Sequence, residues 1–191
     1  MTVLSRTTLE KLILEKKLVE NYKSLEEQLT PNGMDFRLGA IIEVEKSGTI
    51  TISKERMKKP IFGKAYVLKG FEHYVDGIEV KEIISLDEGT PVILQGNKPY
   101  LVLSCETVNT PEDIQFKLEI RSSLFRFGNC ILETGFGEAG YRGKLTNLLY
   151  SILGTEIEIG VRVCQLAFYQ LDGKEHYEKQ KQTNYQGGKI V

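Results

Sequence analysis

The sequence predicts an all-β fold, a distorted jelly roll that carries a helix at its N-terminus. From residue 40 onward, short β-rich apolar runs alternate with turn residues, among them Ser47-Gly48 and Asp76-Gly77. Helical periodicity is confined to the first part of the chain. Many short strands with little helix are typical of a jelly roll or a related β-sandwich.

The individual elements follow from periodicity and turn chemistry. Thr7 and Glu10 can form a capping box, and Leu9, Leu12 and Ile13 recur at helical spacing, which predicts a helix near the N-terminus. An extended piece is expected at 34–38, and the basic run 54–59 is predicted to be a solvated loop or a short helical turn. The predicted strands are 41–44, 49–52, 65–68, 78–84, 91–94, 100–105, 114–120, 145–153, 156–159 and 163–171.

Length and composition restrict the class of protein. A chain of 191 residues with a net charge of −1 can form one domain with a hydrophobic core, and it lacks the basic surface that duplex nucleic acid requires. The cysteines, Cys105, Cys130 and Cys164, are too dispersed for a disulfide framework or a zinc site. Without a leader-like N-terminus or a membrane span, we expect a cytoplasmic protein that binds neither membrane nor nucleic-acid polymer.

The chain is predicted to form a single domain over 1–172, followed by a polar tail at 173–191. The composition of this tail cannot supply a core, which is typical of a flexible terminus. Tyr177 and Tyr185 favour a second interpretation, in which the tail becomes ordered over a bound ligand as a lid. Both interpretations stay open.

The stretch from Arg121 to Tyr150 contains the candidate chemistry. It combines Arg121, two serines and Arg126 with a glycine-rich turn around Glu138. Guanidinium forks and hydroxyl groups are suited to phosphate oxygens, and a lone carboxylate can move a proton. A polyanion site with a hydrolytic or deaminating role is therefore expected. The structural alternatives are a strand-end salt bridge for the arginines and an exposed turn acid for Glu138.

Several motifs occur together in the order of a known superfamily. They are TPNGMDFRLG at 30–39, RSSLFRFG at 121–128, GFGEAGYRG at 135–143, GVRVCQL at 160–166 and a tail with Tyr177 and YQGG at 185–188. On these motifs the chain is identified as a member of the superfamily that joins trimeric dUTPases with dCTP deaminases. The resemblance covers nearly the whole chain and implies a β jelly roll and a homotrimer.

The turn motif resembles the dUTPase pattern in register, with Glu138 where the dUTPases have aspartate. In the deaminases, a glutamate on the following strand serves the amino-group chemistry, and the matching position here is Leu148. The resemblance therefore implies hydrolysis of dUTP to dUMP and pyrophosphate with Mg²⁺, with Glu138 activating the water. The alternatives are dCTP deamination, with or without hydrolysis, and a nucleotide-binding regulator without turnover.

The resemblance also implies roles for the remaining site residues, all of which are expected to contact the nucleotide or its Mg²⁺. The residues expected to bind the phosphates are Arg121, Ser122, Ser123 and Arg126. The backbone at Gly135 is expected to recognise the base, and Tyr141 is expected to pack against the deoxyribose. Gln165 would support the turn and the phosphates, and Tyr177 would belong to the lid. Asp35 is expected to hold Mg²⁺ in its outer shell through water. Pairing of Asp35 with Arg37 or a neighbouring strand is the structural alternative.

Overall fold

The computed structural model describes residues 2–133, 135–175, 177 and 185–190, with residue 54 described by its backbone alone. The α-helices are α1 (Arg6–Lys16), α2 (Leu25–Gln28) and α3 (Ser122–Arg126). The strands are β1 (Thr2–Val3), β2 (Val19–Glu20), β3 (Leu29–Thr30), β4 (Gly33–Lys46), β5 (Ile61–Leu68), β6 (Glu82–Leu86), β7 (Pro91–Leu94), β8 (Lys98–Asn109), β9 (Ile114–Ile120), β10 (Cys130–Leu132), β11 (Phe136–Gly137), β12 (Arg142–Ser151), β13 (Thr155–Glu158) and β14 (Arg162–Gln170). The predicted all-β jelly roll with an N-terminal helix is confirmed.

Strand β4 links the two faces of the curled sheet. Its first residues pair with β14, which continues to β9 and β11, while its later residues pair with β8 and β5. Strand β8 continues to β12 and β10, and β7 pairs with β13 in a separate small sheet. These pairings are antiparallel, whereas β5 and β6 are parallel. The candidate turn therefore lies where β11 on one face passes into β12 on the other.

Helix α1 begins earlier than the capping box predicts. Ser5 has extended backbone angles and its hydroxyl accepts a hydrogen bond from the Thr8 amide at 3.5 Å, so Ser5 is the N-cap and the proposed pair of Thr7 and Glu10 is wrong. Helix α1 buries Leu9 and Ile13 as the periodicity predicts. None of the helices among the described residues is long and apolar enough to cross a membrane.

The predicted strand at 49–52 is also wrong. Thr49 forms a single bridge with Lys58, and Ile50 and Ile52 have exposed fractions of 92% and 104%. The β-branched residues there suit a strand, but no neighbouring strand pairs with them beyond that bridge. The basic run that follows contains a 3₁₀ turn at Lys54–Arg56, in agreement with the predicted helical turn.

The core contains a buried ion pair between Arg37 and Glu106. The Glu106 carboxylate accepts hydrogen bonds from Arg37 Nε and the Arg37 amide, each at 2.7 Å, and from Gln28 Nε2 at 2.9 Å. Glu106 is fully buried, and burial raises its pKa while Arg37 opposes that rise. The three cysteines are buried free thiols, as the dispersed spacing predicts.

Candidate active site

The turn that carries Glu138 is fixed to the end of β8. The Thr110 hydroxyl lies 3.0 Å from the Glu138 carbonyl and 3.1 Å from the Tyr141 carbonyl, and the Thr110 amide donates to the Tyr141 carbonyl. Within the turn, the Tyr141 amide donates to the Glu138 carbonyl at 3.2 Å. Gly137 precedes Glu138, and a side chain there would overlap the Phe116 ring. The half-buried Glu138 is thus presented from a rigid support.

Tyr141 packs in an aromatic group behind this turn. Its ring centroid lies 6.1 Å from that of Phe116 and 5.8 Å from that of Tyr177, and its hydroxyl donates to the Lys144 carbonyl at 2.8 Å. Burial, with a smaller contribution from Tyr177, raises the pKa of Tyr141 to about 12. Tyr141 is therefore a neutral, fixed platform at physiological pH.

A cavity of about 790 Å³ opens beside the turn. Four of the predicted site residues contribute to its wall: Gly135, Glu138, Tyr141 and Tyr177. The volume lies within the range of small-molecule sites. Its other lining residues are Pro60, Leu101, Phe116, Leu118, Glu133, Phe136, Gly137, Lys144, Leu145, Thr146, Asn147, Leu148, Tyr185, Lys189 and Ile190.

Leu148, at the position of the deaminase glutamate, is 41% exposed and lines this cavity. Glu133 faces it from the neighbouring strand end, because Leu132 pairs with Leu149 and the Glu133 amide donates to the Leu148 carbonyl at 2.8 Å. Directly opposed residues of antiparallel strands point to the same side of a sheet. A carboxylate is therefore present on this wall, although Leu148 itself cannot transfer a proton.

The described residues of the tail pack against the same hairpin. The Gln186 side chain accepts from the Arg142 amide at 3.0 Å and donates to the Gly140 carbonyl at 3.2 Å. Gly143 has a φ of +149°, and a side chain at this position would overlap the Gly188 backbone. Within the predicted tail, residues 176, 178–184 and 191 lie outside the described residues. Tyr185, the first residue of the YQGG motif, lines the cavity together with Lys189 and Ile190.

The predicted phosphate-binding residues lie elsewhere in the chain. Arg121 is the N-cap of α3, and its Nε lies 3.3 Å from Asp35, which also has Arg162 at 3.6 Å. Ser122 and Ser123 are exposed on α3, and Arg126 lies over the Phe125 ring at 5.4 Å. These predicted donors, called the cradle below, lie on a surface separate from the lining of the cavity.

The sheet register gives the separation between this cradle and Glu138. Strand β11 runs antiparallel to β9, with Gly137 opposite Phe116, so Glu138 continues towards Gln115. Arg121 lies six residues beyond Gln115 along the chain. At about 3.3 Å per residue, roughly 20 Å of strand separates the two sites. The structure does not bring the carboxylate and the arginines together within one chain.

Asp35 has the structural partners that the alternative interpretation described. Its carboxylate pairs with Arg121 and with Arg162 of the neighbouring strand β14, and not with Arg37. Burial raises the pKa of Asp35, and the two arginines oppose that rise. Among the described residues, no group of three or more His, Cys, Asp and Glu side chains is arranged to bind a metal. Asp35 alone does not form a protein-built magnesium site.

Gln165 does not line the cavity, but it lies directly opposite Asp35 in the sheet, and Asp35 pairs with Arg121. Gln165 Nε2 donates to the Thr30 hydroxyl, and both residues line a second cavity of about 410 Å³ beside Tyr169. Sequence reasoning missed Glu133 and Lys144, because neither belongs to a motif. A signal existed for Lys144, which directly follows the Tyr-Arg-Gly motif.

The dCTP deaminase-like family matches residues 3–171, and the chain belongs to this family. A probable deoxyuridine 5′-triphosphate nucleotidohydrolase from Methanosarcina mazei is 32% identical over 180 residues, which are 90% of each chain. A relative from Dictyoglomus turgidum, named dCTP deaminase, dUMP-forming, is 29% identical over 88% of this chain and 80% of its own. The motif resemblance is therefore confirmed.

The fold is also that of a solved structure. The crystal structure of 2′-deoxycytidine 5′-triphosphate deaminase from Agrobacterium tumefaciens matches with a TM-score of 0.59 and 19% identity. The match covers 87% of this chain and 47% of that chain. At this level of identity the similarity concerns the fold alone.

Proposed function

We propose that the protein is a dUTP diphosphatase that hydrolyses dUTP to dUMP and pyrophosphate. The observation that supports this most directly is the cavity wall, where Glu138 and Tyr141 line one nucleoside-sized space while Leu148 replaces the deaminase glutamate. The relatives named as probable nucleotidohydrolases agree with this choice. The three buried thiols suit a reducing cytoplasm, where we place the activity.

Glu138 would act as the general base. Its carboxylate takes a proton from the water that attacks the α-phosphorus, and pyrophosphate leaves from the opposite side. The hydrogen bonds of Thr110 fix the backbone on both sides of the turn tip, which limits the motion of this carboxylate. Tyr141 would pack against the deoxyribose, and the backbone at Gly135 would read the base edge.

If Glu138 and Arg121 act on one nucleotide, the roughly 20 Å of strand between them favours a site shared between two protomers. We propose a homotrimer in which the cradle of Arg121, Ser122, Ser123 and Arg126 binds the phosphates of a nucleotide seated in a neighbour's cavity. The exposed position of α3 supports this arrangement. The tail, with Tyr177 at the cavity, would then close the site over bound nucleotide.

Mg²⁺ would accompany the triphosphate. This ion commonly retains several waters and binds through substrate phosphates with few protein ligands. The described residues fit that mode better than a protein cage, because they contain no group of three or more possible metal ligands and Asp35 already pairs with two guanidinium groups. The ion would neutralise phosphate charge as pyrophosphate leaves.

A second candidate function is hydrolytic deamination of dCTP. Glu133 supports it, because this carboxylate lines the cavity opposite Leu148. It would take a proton from water attacking C4 of cytosine and pass it to the amino nitrogen, which leaves as ammonia. A relative named dCTP deaminase, dUMP-forming, agrees with a site that serves both reactions.

One assay distinguishes a dUTP hydrolase, a dCTP deaminase and a nucleotide-binding regulator. The protein is incubated with Mg²⁺ and either dUTP or dCTP, and pyrophosphate, ammonia and nucleotide binding are measured. Pyrophosphate from dUTP supports the hydrolase, ammonia from dCTP supports the deaminase, and binding without product indicates a regulator. The Glu138→Gln variant should bind dUTP but lose turnover, and Glu133→Gln should lose any ammonia release. Glu158→Gln, an exposed glutamate of β13, is the control. Unchanged turnover of dUTP in Glu138→Gln would show that another group is the base.

A further inference from the structure

Lys144 is a half-buried lysine that lines the cavity. It is the first residue after Gly143 on β12, opposite Thr107. Its Nζ lies 5.0 Å from the centroid of the Tyr74 ring. Among the described residues, none of the ion pairs includes Lys144.

Two other strand lysines, Lys64 and Lys117, have carboxylate partners. Lys64 lies 3.1 Å from Glu82, and Lys117 lies 2.6 Å from Glu119, although both lysines are more exposed than Lys144. A lysine ammonium has three donors and no acceptor, so withdrawing it from water without an oxygen partner is unfavourable. The contact with the Tyr74 ring compensates for only part of that cost.

The tail increases this burial. A side chain added at Gly188 would come within 2.7 Å of Lys144 Cγ, so the tail backbone packs directly on the lysine stem. Burial lowers the pKa of Lys144, and Asp76 opposes that shift. The docked tail therefore packs on the stem of a lysine that also lines the cavity.

From the position of Lys144 in the cavity wall, and from its lack of an ion pair among the described residues, we infer that Lys144 is a further substrate-binding residue that donates to a carbonyl oxygen of the pyrimidine. The inference rests on the proposed function and adds a contact to the nucleoside half of the substrate. The predicted phosphate-binding residues lie on the separate surface around Arg121, which leaves the cavity for the base and sugar. A uracil ring offers two carbonyl oxygens, which are the acceptors that a buried ammonium lacks.

Binding measurements with ligands of increasing phosphate content test this inference. Deoxyuridine, dUMP and α,β-imido-dUTP are titrated into wild type, Lys144→Met, Lys144→Arg and Lys98→Met by ligand-observed NMR or calorimetry. Lys98 is the matched control, since its Nζ also lies over a tyrosine ring, at 5.8 Å from the Tyr100 centroid, but outside the cavity. Thermal melts show that each variant is folded.

Lys144→Met should weaken all three ligands by a similar factor of about 10 to 100, the value of one hydrogen bond to a charged group. Lys144→Arg should recover part of the affinity, and Lys98→Met should bind as wild type does. A loss that grows with the number of phosphates would overturn the inference, because Lys144 would then contact phosphate. Unchanged affinity in Lys144→Met would overturn it as well.

Different results would overturn the proposed hydrolase activity and the proposed Lys144 contact. If wild type binds the ligands with the expected dependence on Lys144 but releases no pyrophosphate from dUTP, the hydrolase proposal fails and the contact stands. If wild type turns over dUTP and Lys144→Met binds equally well, the contact alone is wrong. If wild type binds none of the three ligands, both are wrong.

Discussion

The buried pair of Arg37 and Glu106 allows a sharp test of what holds the two faces of the sheet together. Glu106 accepts three hydrogen bonds at 2.7, 2.7 and 2.9 Å, and the Arg37 side chain is 9% exposed. In Glu106→Gln, a single carbonyl oxygen can retain the bonds from Gln28 and Arg37 Nε. The new side-chain NH₂ group would then face the backbone N–H of Arg37, so that two donors oppose each other. The guanidinium would also lose its counter-charge.

Breaking one side of a buried ion pair costs about 3–5 kcal/mol. For a domain of this size, each kcal/mol corresponds to roughly 2–4 °C in Tm, so Glu106→Gln should lower Tm by about 6–20 °C. The sequence contains no tryptophan, so circular dichroism in a thermal or urea titration is the appropriate measurement. The double variant Arg37→Met/Glu106→Leu should be less destabilised than Glu106→Gln alone, because it leaves no unpaired charge.

Asp87→Asn is the control for this experiment. Asp87 pairs with Lys69 at 3.4 Å, but the two side chains are 83% and 72% exposed, so its loss should change stability by less than about 1 kcal/mol. A Glu106→Gln variant that unfolds within 1 kcal/mol of wild type would contradict the reasoning. So would a double variant less stable than the single one, since the cost would then arise from lost packing instead of an isolated charge.

Three further predictions concern the cradle, the core and the tail. Asp35→Asn should raise KM for dUTP about tenfold in steady-state kinetics, because Arg121 loses one charge-assisted hydrogen bond that holds its side chain in place. The affinity for deoxyuridine, measured by calorimetry, should change little. Burial raises the pKa of Cys105 from 9.0 to about 12, so the thiol loses its proton at lower pH in the unfolded chain than in the folded one. The free energy of unfolding should therefore fall by about 1.4 kcal/mol per pH unit as pH rises through that interval. Urea titrations should show a weaker pH dependence in Cys105→Ala. Gly143→Ala should displace the tail, because its side chain would overlap the Gly188 backbone, and hydrogen exchange of the tail amides should accelerate.

The fold was predictable where local patterns and burial agree. The helix face of Leu9 and Ile13 and most of the strands follow from periodicity, because those residues pack against the core. The prediction at 49–52 was wrong, because Ile50 and Ile52 have the intrinsic preference for a strand but lack a paired neighbour. Helix α1 begins earlier than predicted since both Ser5 and Thr7 are competent caps, and local sequence does not rank them.

The candidate site was predictable as a set of residues but not as an arrangement. Motifs identified Glu138 and Arg121, yet their separation follows from the register of β11 against β9, which depends on pairing between distant segments. Glu133 and Lys144 gain their significance only from the neighbours that the folded sheet provides, Leu148 and Tyr74. The roles assigned to these side chains remain predictions for the experiments above.

The burial of all three native thiols makes the protein a convenient host for fluorescent labelling. A maleimide dye has no accessible native target in the folded state, so a single engineered cysteine would be labelled without removing any natural one. Tyr185 is 53% exposed at the cavity edge, so a dye at this position would report in real time when the C-terminal tail docks on the hairpin or leaves it.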